Sequence, residues 1–158
     1  NRVVSGTLDE RLQGYLQAMK DHGLAEKHFA VERKTPLTAG FEVKSAYELV
    51  RKTWGKELCA TAIVGANDNY ALGILHALKD EGVHVPAQVS VLGFDDLHAE
   101  LSVPSLTSMR MPVWKSGETA VKLLMRRIKN PDKEQEYVML EYERMEREST
   151  AAAPRNKI

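Results

Sequence analysis

Two short apolar runs, Thr61 to Ala66 and Val89 to Phe94, flank a segment whose apolar residues Ala71, Ile74, Leu75 and Leu78 recur at helical spacing. Neither run alternates, and near-continuous apolar strands are those buried on both faces, as in parallel sheets covered by helices. Asn67 or Asp68 can cap the intervening helix, Gly82 can end it, and Val85-Pro86 links it to the second run. Strand, helix and strand in close succession make a βαβ unit, whose crossover should be right-handed. The pattern predicts an α/β fold with a doubly wound parallel sheet.

The flanking regions extend that reading. Val3-Val4 followed by Gly6 predicts a short strand and a turn, and Asp9 offers an N-cap for a helix carrying Leu12, Tyr15, Leu16 and Met19, stopped by Gly23. Phe29-Ala30-Val31 reads as a second strand. Thr38 caps a helix to about Trp54, with Phe41, Ala46, Tyr47, Leu49 and Val50 on its apolar side. After Asp96 a connection rich in Ser and Pro leads to a short strand, Leu106 to Met109. Pro112 then starts a helix bearing Ala120, Leu123, Leu124 and Ile128, which Pro131 closes. Tyr137 to Tyr142 is expected to be the last strand, and residues 151–158 a loose tail.

Charge narrows the function. Lys and Arg number 22 against 22 Asp and Glu, so the clustered positive excess of a nucleic-acid surface is missing; Arg126-Arg127 reads as a solvated helix face. The single Cys59 excludes an internal disulfide and offers no metal spacing, which is compatible with a reducing compartment. No stretch approaches the ~18 apolar residues of a membrane span. Asn1 is not an initiator methionine and Arg2 to Gly6 look like a strand joined in mid-course, so the chain reads as a fragment.

The polar clusters fall at the ends of the two buried runs: Asn67-Asp68 after the first, Asp95-Asp96 after the second. In open α/β sheets the ligand crevice lies just beyond the carboxyl ends of the strands. No glycine-rich phosphate loop is present, whereas carboxylates and amides suit ligand hydroxyls. Arg11 adds a planar donor fork. Phe94, Trp54 and Trp114 are stacking surfaces or core. An enzymatic reading would let Asp68, Asp95 and Asp96 hold Mg²⁺ or act as acid and base. No nucleophile or lysine accompanies them, and His76, His84 and His98 lack paired ligand spacing. No catalytic residue, metal or cofactor is therefore expected.

Several stretches together resemble the effector-binding domain of the lactose-repressor/galactose-repressor (LacI/GalR) family of bacterial transcription regulators. Arg11-Leu12-Gln13-Gly14-Tyr15 is similar to the family's Arg-x-x-Gly-Phe/Tyr helix opening, and Thr61 to Asp68 followed by Ala71-Leu72-Gly73 is the strongest match. Val85-Pro86-Ala87-Gln88-Val89-Ser90-Val91-Leu92-Gly93-Phe94-Asp95-Asp96 resembles the signature Val-Pro-x-Asp-Val-Ser-Val-x-Gly-Phe-Asp-Asp, with Gln88 replacing Asp. Leu106-Thr107-Ser108-Met109-Arg110-Met111-Pro112 with Gly117, and Arg147-Glu148-Ser149-Thr150, complete the series in the family's order, Ser108 standing for a usual Thr.

The resemblance implies a periplasmic-binding-protein-like (type I) lobe plus a C-terminal segment returning to the other lobe. Residues 1–97 would form the C-terminal subdomain and 98–150 the hinge crossover and return toward the N-terminal subdomain, with the helix-turn-helix headpiece absent from this chain. It also implies that Arg11, Asn67 and Asp95 hold the effector, a sugar in most of the family, and that Phe94 flanks it. Asp68 would cap the helix and support the crevice, and Asp96 would serve the hinge or stand behind the site. A cytoplasmic homodimer or dimer of dimers follows, with the helix at 70–81 and the segment after Asp96 near the interface. It would touch operator DNA only through the headpiece and no membrane. The alternative is a periplasmic sugar-binding protein of a transport system, on the same two-lobed fold; the Val-Ser-Val-Leu-Gly-Phe-Asp-Asp run and the Arg-Glu-Ser-Thr ending favour the regulator.

Overall fold

A computed structural model describes residues 6–25 and 38–153, so the strands expected at Val3-Val4 and Phe29-Ala30-Val31 lie outside the described residues. The chain runs α1 (Gly6–Asp21), α2 (Ala39–Thr53), β1 (Ala62–Val64), α3 (Asp68–Asp80), β2 (Ser90–Asp95), a single 3-10 turn (Ala99–Leu101), β3 (Thr107–Arg110), α4 (Val113–Lys129) and β4 (Glu143–Met145). Helix α1 starts at Gly6, three residues before the expected cap at Asp9. Gly23, at φ 63°, follows its last turn. Thr38 caps α2 as expected, its hydroxyl accepting from the Phe41 N–H at 3.1 Å.

Among the described residues four strands form one sheet in the order β1-β2-β3-β4, with β1, β2 and β3 parallel and β4 antiparallel to β3. Helix α3 lies on the sheet face that carries Ile63 and Val91, and α2 packs on α3. Ala46, Val50, Ile74, Leu75, Leu78, Val89, Val91 and Leu106 form one continuous core. Fully buried Leu78 and Leu106 each contribute roughly 1.5–3 kcal/mol relative to an exposed side chain. Burial of the strands is one-sided among the described residues. Val91 and Gly93 are enclosed, Leu92 and Phe94 are half-buried, and Val64 is 48% exposed. The expectation of strands covered on both faces therefore holds for one face only.

Close packing of α2 on α3 depends on Gly73, where an added Cβ would collide with the Val43 carbonyl and the Ala46 methyl. Helix α4 buries no residue, and Val121, Leu124, Met125 and Ile128 are all exposed.

The last strand is shifted from its expected place. Tyr137 to Tyr142 carries the β-like composition, yet β4 is Glu143–Met145. Arg110, the final residue of β3, pairs with Glu143, so residues before 143 run past the end of their partner strand and have no ladder to join. Beyond β4, Ser149 plugs the fork where β2 and β3 diverge. Its hydroxyl donates to the Val91 carbonyl at 2.6 Å and accepts from the Thr107 N–H at 2.8 Å, while its carbonyl accepts from the Val91 N–H at 2.8 Å.

Three outcomes follow for chemical denaturation of the full-length protein. Gly73→Ala lowers stability by about 1–3 kcal/mol through overpacking, whereas Gly14→Ala, with open space around its Cβ, is neutral or stabilising by up to about 1 kcal/mol. Ser149→Ala strands a buried N–H and a carbonyl and lowers stability by about 1–3 kcal/mol. A neutral Gly73→Ala or Ser149→Ala would contradict this packing.

Candidate functional site

The carboxyl ends of β1 and β2 meet the start of α1 in one cluster. Arg11 reaches from α1 to both strands. Its Nη1 donates to the Ala66 carbonyl at 2.8 Å, its Nη2 donates to Asp95 Oδ1 at 2.7 Å, and its guanidinium lies 4.7 Å from the centre of the Phe94 ring. Both charged side chains are 21% exposed, so the pair is partly shielded and still open to exchange with solvent or a ligand. Phe94 also meets Tyr142 edge to face, with ring centres 6.4 Å apart. A stacked cation, a carboxylate and an aromatic face are thus presented side by side, a combination matched to the hydroxyls and apolar faces of a small polar molecule.

Asp95 points this way where the chain turns left-handed. Asp95 and Asp96 have φ of 95° and 55°, a region costing about 1–3 kcal/mol for each non-glycine residue unless the surroundings hold it. Asp96 turns the opposite way, into the protein: Arg110 Nε and Arg147 Nη1 each donate to one of its oxygens at 2.7 Å. Burial acts to raise the Asp96 pKa, but the hydrogen bonds and charges of Arg147 and Arg110 outweigh it and hold the carboxyl below its ordinary value.

The helix cap at α3 falls to Asn67. Its Oδ1 accepts from the Tyr70 N–H at 3.1 Å, and its Nδ2 donates to both Glu42 oxygens at 3.2 Å. Asn69 donates to the same carboxylate at 2.9 Å. Asp68, given the capping role by the family resemblance where the spacing alone allowed either residue, is instead the first residue of α3. It accepts the Ser108 hydroxyl at 2.6 Å and the Leu97 N–H at 3.0 Å. Burial pushes its pKa upward against those two hydrogen bonds, and the charges of Asp95 and Asp96 push the same way. Gly93 makes this placement possible, since a Cβ there would strike Asp68 Oδ1.

Arg11, Phe94 and Asp95 therefore converge, and Asn67 stands beside them with its amide committed to the cap and to Glu42. Asp68 and Asp96 support the turn from behind. Trp54 packs on the core and Trp114 is 89% exposed on α4. The sequence reading did not single out Glu42, and it gave Ser108, Arg110 and Arg147 no role beyond motif matches. Arginines next to a strand's polar end were the available signal for the last two. Among the described residues, no three His, Cys, Asp or Glu side chains are grouped to hold a metal, and no helix is long and apolar enough to cross a membrane. A shallow depression of about 560 Å³ lies elsewhere, between α2 and α3 at Tyr47, His76 and Asp80. It lacks converging buried polar groups, and the cluster at Arg11 and Asp95 is the candidate site.

Residues 3–150 match the periplasmic binding protein-like domain family. The regulator AscG of Escherichia coli is 41% identical over 118 residues, covering 70% of this chain and 33% of that protein. A LacI family transcriptional regulator from Enterococcus faecalis, solved with bound ribose, superposes with a TM-score of 0.78 at 26% identity, over 96% of this chain and 52% of that one. The CelR–cellobiose complex superposes at 0.73 with 32% identity, over 89% and 42%. The chain spans between 33% and 52% of the length of these relatives. Its mostly parallel α/β sheet and the match over nearly all of its residues show that it belongs to the periplasmic binding protein-like domain family, with LacI-type regulators as its relatives.

Proposed function

We propose that this chain is the C-terminal part of the sensing unit of a LacI-type transcription regulator. In this reading it binds a small hydroxyl-rich effector, a sugar, against Arg11, Phe94 and Asp95, with Asn67 at the rim. The observation that carries the proposal is Arg11, paired with Asp95 and laid over Phe94, at the carboxyl ends of β1 and β2. Guanidinium and carboxylate offer a donor fork and an acceptor to vicinal hydroxyls, and Phe94 offers the apolar face of a sugar ring a surface. Solved relatives carry ribose and cellobiose, which supports the same ligand class here. No step of this reading requires catalysis or a cofactor.

The rest of the proposal concerns the whole protein. The apolar residues of α4 and the open sheet face at Val64 suit contact with a second lobe, which residues 98–150 would reach by crossing out of this one and returning. The effector would sit between the lobes and favour their closed arrangement in proportion to its preference for it. Operator binding would belong to a separate helix-turn-helix segment, in the bacterial cytoplasm. Exposed Leu97, Leu101 and Val103 after the Asp95-Asp96 turn, with α3 beside them, would form the homodimer contact.

Calorimetric titration of the full-length protein with D-ribose, cellobiose and lactose tests the site. Asp95→Ala and Arg11→Met each weaken binding of the recognised sugar by at least about tenfold, since each removes a charge-assisted hydrogen bond, while the unfolding midpoint stays within a few degrees. Undiminished affinity in Asp95→Ala would overturn the site. A folded protein that binds none of the sugars, yet binds a nucleobase through the same residues, would replace the ligand class.

A further inference from the structure

The carboxylate beside the candidate effector contact is held far more firmly than the contact itself. The Asp96 side chain is 1% exposed, against 21% for Asp95. Arg110 approaches it from the end of β3 and Arg147 from the segment after β4. Arg147 Nη1 also donates to the Leu106 carbonyl at 2.7 Å, which fixes the guanidinium to the start of β3. The backbone is anchored as well. The Asp96 N–H donates to Ser108 Oγ at 3.2 Å and the Leu97 N–H to Asp68 Oδ2 at 3.0 Å, with the Ser108 hydroxyl in turn donating to Asp68.

Left-handed backbone at two consecutive aspartates persists only where its surroundings over-determine it, and these contacts supply that. We infer that Arg147 is a positioning residue for effector recognition: paired with Asp96 opposite Arg110, it holds the Asp95-Asp96 turn and so keeps the Asp95 carboxylate facing Arg11. The inference rests on the reading of Arg11 and Asp95 as effector contacts. Asp96 is enclosed. Without Arg147 its remaining cationic partner is Arg110, which is 45% exposed and pairs weakly through solvent. The turn then relaxes toward ordinary φ, and Asp95 swings from Arg11.

The test reads the Arg11 side-chain Nε–Hε resonance by NMR in the full-length protein, with Asp95→Ala defining its unpaired position. Arg147→Met moves the resonance toward that position and weakens D-ribose or cellobiose binding about tenfold, a change of roughly 1.4 kcal/mol. Arg147→Lys recovers part of both, because an ammonium still reaches Asp96. In an Asp95→Ala background Arg147→Met causes no further loss of affinity, which general loosening of the fold would not give. Should the methionine variant fail to fold, Asp96→Asn, which keeps the shape and tolerates positive φ, is read in the same way. An unmoved Arg11 resonance in a folded Arg147→Met or Asp96→Asn protein overturns the positioning role. Unchanged sugar affinity in Asp95→Ala overturns the effector reading instead, while the resonance result stands.

Discussion

The end of β2 has to send two neighbouring carboxylates to opposite destinations, Asp95 outward to Arg11 and Asp96 inward to Arg110 and Arg147. In a strand that simply continued, alternate side chains would face opposite sides of the sheet and the ladder would go on to the next pairing. Here the ladder stops at Asp95↔Arg110, and two left-handed residues turn the chain. Everything near the site serves that turn. Gly93 leaves room for Asp68 above the sheet, Asp68 receives the Leu97 N–H, and Ser108 bridges Asp68 and Asp96. The partial exposure of the Arg11–Asp95 pair contrasts with the burial of the Asp96 clamp. A partly exposed pair beside an enclosed one is the arrangement that the proposed recognition on a rigid support would require.

Much of this architecture was legible because its signals are local. The apolar spacing of Ala71, Ile74, Leu75 and Leu78 gave α3, all four being buried, and the Thr38 cap marked the start of α2. The convergence of Arg11 on Asp95 was also anticipated, though through the family's residue pattern: no periodicity says that a residue on the first helix will meet one 84 positions later.

What escaped the sequence was set by tertiary register. Either Asn67 or Asp68 has the chemistry of a cap, and the choice went to Asn67 because Asp68 faces Ser108 across Gly93. Tyr137 to Tyr142 has the composition of a strand, but β4 begins only where β3 offers a partner. The roles of Arg147 and Ser149 depend on a segment folding back over more than fifty residues, to Asp96 and Val91. The one-sided burial of the sheet and the bare apolar residues of α4 are likewise properties of packing, invisible to composition, and they agree with the proposed second lobe.

The measurement that bears most directly on this account is chemical-shift mapping of the full-length protein as D-ribose and cellobiose are added in turn. The account predicts that the recognised sugar perturbs the Arg11 side chain and the backbone amides around Ala66, Phe94 and Asp95 first and most strongly. Perturbations centred instead on Tyr47, His76 and Asp80, with Arg11 and Asp95 unmoved, would contradict it.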